Sequence, residues 1–191
     1  MGIFSKAHTR SYVQHFAQML VPSTETWSAS AEWPQGSTSY LHIAYPSVAL
    51  SVLTAIIGSL MRLGDGDWNN VFAAAAFAAV NGFVIVHTGV FLTRLTASFF
   101  HAEAPSETVT AYAVYAMSPI YAVNLLYPLM TDLFFLKFLY LGCIYSAYTG
   151  AFRLQSKGNS TLPAVISGVC LSATPMLVGL IVGKIFPGLH L

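Results

Sequence analysis

The chain has 191 residues, of which 55% are hydrophobic and only 8% are charged, and its mean hydropathy is +0.64. Soluble domains carry about 25% charged residues, so this balance excludes an ordinary water-soluble core. The formal net charge is +1, and no basic run could follow a phosphate backbone, so nucleic-acid binding is not expected.

Residues 1–40 are polar and aromatic, and we expect them to form a cytoplasmic or interfacial N-terminal segment. They lack a short apolar run followed by a small-residue cleavage site, so no cleaved signal peptide is predicted. Apolar side chains between Ile3 and Leu20 share one helical face, which predicts a short amphipathic helix in the headgroup region of a bilayer. Trp27 and Trp33 suit the water–lipid boundary, where an indole buries its ring and keeps its N–H hydrated.

Residues 41–186 are apolar almost throughout and form the predicted membrane domain. A hydrocarbon core about 30 Å thick needs roughly 20 apolar residues per helix, and this block contains about five such stretches. Their expected bounds are 41–61, 70–99, 110–129, 132–154 and 162–186. The sequence therefore predicts an all-α, polytopic membrane protein, built as a bundle of about five transmembrane helices.

The distribution of basic residues predicts a cytoplasmic N-terminus, because Lys and Arg are enriched on the cytoplasmic side. With the N-terminus inside, the cytoplasmic flanks hold five basic residues, which are Lys6, Arg10, Arg94, Arg153 and Lys157. The opposite flanks hold three, which are Arg62, Lys137 and Lys184.

Polar residues interrupt the second predicted span at Asn81, His87, Thr88 and Arg94. His87 and Arg94 are seven positions apart and therefore lie about 20° from each other around the helix. One interpretation is a proton- or anion-sensing stripe, because ionisable groups at membrane depth usually face a cavity or a partner. The alternative is that His87 is neutral and bonded to a facing helix, while Arg94 extends to the interface.

Further polar candidates flank the fourth predicted span. Asp132 is its first residue, and Lys137 follows on a different helical face. We therefore expect both residues to help set the membrane topology of the chain. Asn124 lies near the end of the third span. In a channel or transporter for a small solute or proton, Asn81, His87, Arg94 and Asn124 would line the path.

Pro119 and Pro175 predict kinks in the third and fifth spans. Each follows a hydroxyl residue, Ser118 or Thr174, and a hydroxyl can bond the carbonyl that a proline leaves free four residues back. The two spans run in the same direction, so the pair is not an inverted repeat of the transporter type.

Small residues in the spans predict close helix packing. Gly179 and Gly183 fit a small-xxx-small motif, which we assign to packing within the chain, with dimerisation as the alternative. Cys143 and Cys170 lack metal-ligand spacing. We interpret them as small apolar filler, with a disulfide or redox role as the alternative. The sequence holds no nucleophile–base pair, phosphate loop or paired carboxylates, so neither enzymatic activity nor a metal or cofactor is expected.

Short motifs resemble the bacterial branch of the Yip family, the Ypt/Rab-interacting membrane proteins. They are Tyr-Ala-Met-Ser-Pro at 115–119, Leu-Leu-Tyr-Pro at 125–128, Tyr-Leu-Gly at 140–142, Tyr-Ser-Ala-Tyr-Thr-Gly at 145–150, and the proline-to-tryptophan segment at 21–27. The resemblance extends from about residue 20 to residue 186.

This resemblance implies five spans with a cytoplasmic N-terminus in a bacterial inner membrane, and a non-enzymatic role through protein or lipid contacts. In eukaryotes the family is tied to small GTPases, but the chain has no Asp-Leu-Tyr-Gly-Pro segment and no long N-terminal domain. A GTPase partner is therefore not expected. The alternatives are a channel or transporter, and an accessory subunit that contacts other membrane proteins or a second copy of itself.

Overall fold

The computed structural model describes residues 6–62, 68–130, 133–156 and 159–185. Within these ranges the chain is helical, and its β-structure is limited to one isolated bridge between Ala102 and Ser156. Four described helices are long and apolar enough to cross a membrane, namely Ser37–Arg62, Trp68–Phe99, Ser106–Leu129 and Thr161–Lys184. The prediction of an all-α membrane bundle is confirmed, and the chain is a multi-pass membrane protein.

We number the helices in chain order as α1 (Lys6–Leu20), α2 (Thr24–Ala29), α3 (Ser37–Arg62), α4 (Trp68–Phe99), α5 (Ser106–Ala116), α6 (Ser118–Leu126), α7 (Gly142–Thr149) and α8 (Thr161–Ile185). Short 3-10 helices cover Ser30–Glu32, Tyr127–Leu129, Phe134–Leu141 and Ala151–Leu154. Within α3, Tyr40–Ala44 forms a π-helical turn directly before Pro46, whose missing N–H disturbs the regular bonding.

Helices α5 and α6 form the centre of the bundle. Every residue from 109 to 123 is buried, although the segment is less hydrophobic than the other spans. Around this centre, α3 packs against α4, α4 packs against α8, and α7 packs against α8. Large apolar side chains of α4 and α8 remain exposed, for example Phe91 and Leu180. These outward faces are the surfaces that lipid covers.

The two prolines act differently on their helices. Pro119 lies directly after the break between α5 and α6, and the Ser118 hydroxyl donates to the Tyr115 carbonyl at 2.8 Å. That carbonyl is the one that Pro119 leaves free, as the sequence predicts. Pro175 lies inside α8, which continues to Ile185. Here the Thr174 hydroxyl bonds the Cys170 carbonyl at 2.7 Å, one residue before the carbonyl that Pro175 frees.

The fourth predicted span is not one continuous helix. Its described part consists of the 3-10 helix Phe134–Leu141, α7 and the 3-10 helix Ala151–Leu154, joined at Gly142 and Gly150. Glycine at each junction lowers the local helix propensity. With rises of about 2.0 and 1.5 Å per residue, its three pieces have a summed length of about 36 Å, compared with about 30 Å for the hydrocarbon core of a bilayer. The described residues thus contain four membrane-length helices, one of which is interrupted at Met117, and one segment that is broken into three pieces.

The N-terminal segment packs into the bundle. Trp27 has no exposed surface, because its ring lies 5.2 Å from that of Tyr112 and directly over Gly150. The expectation that Trp27 lies at the water–lipid boundary is therefore wrong, since the indole is part of the protein core. Trp33 is half-buried and stacks on His15 at 3.9 Å between ring centroids. Residues before the first long span are thus fixed to helices that come much later in the chain.

Candidate functional site

A cavity of about 400 Å³ lies in one half of the bundle. Its polar lining consists of Ser51, Asn81, Asn124, Tyr127, Lys137 and Tyr140, and its apolar lining includes Phe77, Pro175, Met176 and Leu180. Ligand sites in proteins have this size and this mixture of an apolar wall with a few polar groups.

The cavity extends from one end of the bundle to about its middle. Gly183 lies two residues from the end of α8, and Pro128 lies in the turn after α6. Asn81, by contrast, lies about 20 Å along α4 at 1.5 Å per residue. The N-terminal segment packs toward the opposite end, where Tyr12 bonds Ser47 in the first half of α3 at 3.0 Å. The mouth of the cavity is therefore remote from the N-terminal segment.

Four residues predicted from the sequence meet in this cavity. Asn81 comes from α4, Asn124 from α6, Lys137 from the 3-10 helix Phe134–Leu141, and Pro175 from α8. Asp132 lies outside the described residues. The remaining candidates, His87, Arg94 and Pro119, lie elsewhere in the bundle.

Lys137 is held by an aromatic ring. Its Nζ lies 4.3 Å from the centroid of the Tyr127 ring, a cation–π contact. Among the described residues that line the cavity, it is the only charged one. Nearby, the Tyr140 hydroxyl donates to Asn124 Oδ1 at 3.4 Å. Because this amide oxygen accepts from Tyr140, the N–H₂ group of Asn124 is the part that can donate to a ligand.

Asn81 brings a second amide to the deeper part of the cavity. Its Oδ1 is buried and has no hydrogen-bond partner among the described residues. A buried polar atom without a partner costs about 1–3 kcal/mol. Seven described residues have such an atom, and Asn81 is the one among them that lines the cavity.

The mouth of the cavity is stabilised by a contact that the sequence does not reveal. The Arg62 guanidinium donates from Nη1 to the Pro128 carbonyl at 2.8 Å. The same carbonyl packs directly on Gly58, at the place where any Cβ would lie. This joins the end of α3 to the turn after α6. Residues 62 and 128 are far apart in the chain, and nothing in their spacing links them.

The two ionisable residues of the second predicted span, His87 and Arg94, make separate contacts with other helices. His87 packs 4.2 Å from the Phe83 ring centroid, and its Nε2 lies 3.4 Å from the Tyr45 hydroxyl on α3. Arg94 donates to Thr110 Oγ1 on α5, at 3.1 Å from Nε and 2.7 Å from Nη2. Each residue thus contacts a facing helix, and neither lines the cavity.

The two glycines of the small-xxx-small motif in α8, Gly179 and Gly183, leave open space in the cavity. A Cβ added at Gly179 or Gly183 would meet no atom within 4 Å, and both glycines line the cavity. By contrast, a Cβ at Gly168 of the same helix would lie 2.6 Å from the Ile144 Cα. The expectation that Gly179 and Gly183 pack within the chain is therefore wrong for the described residues. They widen the cavity, while Gly168 allows α7 and α8 to approach.

A histidine pair at the other end of the bundle is also missed by sequence reasoning. His15 Nδ1 lies 2.8 Å from His42 Nε2, which joins α1 to the π-helical turn of α3. Burial lowers the pKa of His15, because desolvation disfavours the charged imidazolium. The two residues are 27 positions apart, and no periodicity pairs them.

The described ranges contain no group of three or more His, Cys, Asp or Glu side chains that could hold a metal ion. Comparison of the chain with family models, curated proteins and solved structures finds no match.

Proposed function

We propose that this chain is a non-enzymatic membrane protein of the bacterial Yip type that acts by binding a ligand within the bilayer. The observation that carries this proposal is the cavity of about 400 Å³ that holds Asn81, Asn124 and Lys137. These side chains recognise polar groups by hydrogen bonds and charge, and amides are poor nucleophiles and poor general bases. The site is suited to binding without turnover.

The packing below the cavity supports a binding pocket rather than a pore. A Cβ at Gly82 would lie 3.1 Å from the Val48 side chain, and one at Gly89 would lie 2.8 Å from the Met117 sulfur. These helices are in close contact at the level of His87. A channel that used both His87 and Asn124 would need a cavity that joins them, and the described lining does not include His87.

The proposed setting is a bacterial inner membrane with a cytoplasmic N-terminus. The basic residues of the flanks and the motif resemblance support it. In that orientation the cavity mouth, near Lys137 and Gly183, faces the outer side of the membrane. A partner in the cytoplasm would then meet the N-terminal segment, and the ligand would enter from the opposite side.

The experiment is native mass spectrometry of the protein extracted from its own membranes in a mild detergent. We expect wild type to carry a bound small molecule or lipid that the variant Gly179→Phe loses. A Cβ at Gly179 would meet no atom within 4 Å, and Gly179 lines the cavity, so we expect the Phe side chain to occupy the cavity. Leu177→Phe is the matched control, because Leu177 is 53% exposed on the same helix and does not line the cavity.

The control should keep the bound molecule. If Gly179→Phe is folded and still carries the same adduct in the same amount, the cavity is not the binding site and the proposed function is refuted. Folding is checked by the thermal unfolding temperature of each variant in the detergent used for extraction.

A further inference from the structure

The polar end of the cavity is built to accept negative charge. Lys137 contributes an ammonium group, and Asn124 contributes an amide N–H₂. The described lining holds no Asp or Glu. A cation close to hydrocarbon is costly without a counter-charge, and the Tyr127 ring offsets only part of this cost. Among the described residues, the charge of this site is therefore complemented by an anionic ligand.

The apolar wall of the cavity continues onto the outer surface of the bundle. Met176 and Leu180 line the cavity, yet they are 67% and 66% exposed. Both lie on α8, in the stretch where Gly179 and Gly183 leave open space. A molecule in the cavity can thus contact the polar residues and the lipid-covered face of α8 at once. Such a molecule has a polar head and an apolar tail.

We propose that the cavity binds an anionic phospholipid, an inference that rests on the proposed ligand-binding function. The phosphate lies between Lys137 and Asn124, and an acyl chain follows Met176 and Leu180 out of the cavity. A zwitterionic phospholipid fits less well, because its choline or ethanolamine group brings a second positive charge toward Lys137. The cavity therefore prefers an amphiphile with a net negative charge, and the bilayer supplies such lipids at high local concentration.

The test uses delipidated full-length protein and an equimolar mixture of phosphatidylglycerol and phosphatidylcholine with identical acyl chains. Native mass spectrometry measures the ratio of the two bound lipids. We expect wild type to prefer phosphatidylglycerol by about fivefold, which is the discrimination that one partly exposed ion pair provides. Lys137→Gln should reduce the preference to about one, since the cation is gone, and Lys137→Arg should retain most of it.

Lys184→Gln is the matched control. Lys184 is an exposed cation on α8 that does not line the cavity, so its removal should leave the lipid ratio unchanged. An unchanged ratio in Lys137→Gln would overturn the proposal. Displacement of the lipid by free glycerol phosphate at equal concentration would also overturn it, because the ligand would then be a soluble phosphate.

The two proposals fail in different ways. If wild type binds both lipids equally and Gly179→Phe loses both, the cavity binds lipid without regard to charge. The anionic preference is then wrong and the binding function stands. If Gly179→Phe binds both lipids as wild type does, the cavity is not the site, and the proposed function falls together with this inference.

Discussion

Two glycines of α8, Gly168 and Gly179, lie in opposite environments: one is in close contact with a neighbouring helix and the other faces open space. At Gly168 a Cβ would lie 2.6 Å from a backbone atom of α7, and at Gly179 it would meet open space. We expect Gly168→Ala to lower the free energy of unfolding by about 1–3 kcal/mol, because a backbone contact cannot relax cheaply. Gly179→Ala should leave it unchanged or raise it by up to about 1 kcal/mol through helix propensity.

The measurement is thermal unfolding of both alanine variants and wild type in one detergent. Each substitution adds one methyl group to the same helix. Any difference between the two variants in unfolding temperature therefore reports the local contact and not the added methyl group itself. Equal unfolding temperatures for Gly168→Ala and Gly179→Ala would contradict the close approach of α7 and α8.

Part of the candidate site is predictable from single residues. Asn81, Asn124 and Lys137 are conspicuous because amides and cations are costly in apolar spans, and the cavity contains all three. Tyr127 and Tyr140 are not conspicuous, since tyrosine is common near membrane boundaries. The shape of the cavity depends on which helix faces are adjacent. His87 and Arg94 have the same sequence signal as Asn81, but their facing helices supply partners.

At the level of elements, the contact between α1 and α3 should respond to pH. Burial holds the pKa of His15 below its ordinary value, and the close contact with His42 needs one ring nitrogen to accept a hydrogen bond. The stabilisation that neutral His15 gives to the contact between α1 and α3 is therefore complete above a pH of about 6.5, the ordinary pKa of histidine. It is lost as the pH falls from there through the lower pKa of the folded protein.

We expect amide hydrogen exchange in residues 12–20 to be faster at pH 5 than at pH 7.5, after correction for the intrinsic rates. His15→Phe keeps a ring over Trp33 and cannot titrate, so its corrected exchange should not change with pH. His101→Asn is the control. His101 is exposed with a positive φ of 51°, which asparagine tolerates, and this variant should behave as wild type. A pH effect that persists in His15→Phe would assign the titration to another group.

The continuous helices are predictable because their length follows from the thickness of the bilayer. Predicted bounds of 70–99 and 162–186 differ by only a few residues from α4 and α8. The breaks in the segment after residue 132 are not predictable from hydropathy, since its apolar residues extend over the length of a whole span. Its breaks depend on tertiary contacts, such as the Trp27 ring that lies over Gly150.

At the scale of the whole molecule, the N-terminal segment is part of the membrane bundle. Trp27 is fully buried against α5 and Gly150, whereas Trp68 is 61% exposed. We expect Trp27→Ala to lower the free energy of unfolding by about 3–5 kcal/mol, as for other buried aromatic truncations. Trp68→Ala should change it by about 0.5 kcal/mol or less. Thermal unfolding in detergent compares the two.

A small effect of Trp27→Ala, equal to that of Trp68→Ala, would mean that the N-terminal segment is not docked. The two variants remove the same side chain, so any difference between them reports the environment. A large effect would confirm that the segment and the spans unfold as one unit.

The position of Trp27 over Gly150 also constrains biogenesis. Trp27 leaves the ribosome early, but its site is incomplete until Gly150 follows about 120 residues later, which takes roughly 6 to 25 s at ordinary rates of translation. During this interval its indole has no pocket and is free to meet the translocon, a chaperone or the bilayer surface. A segment that is synthesised before the membrane spans thus reaches its final place after them.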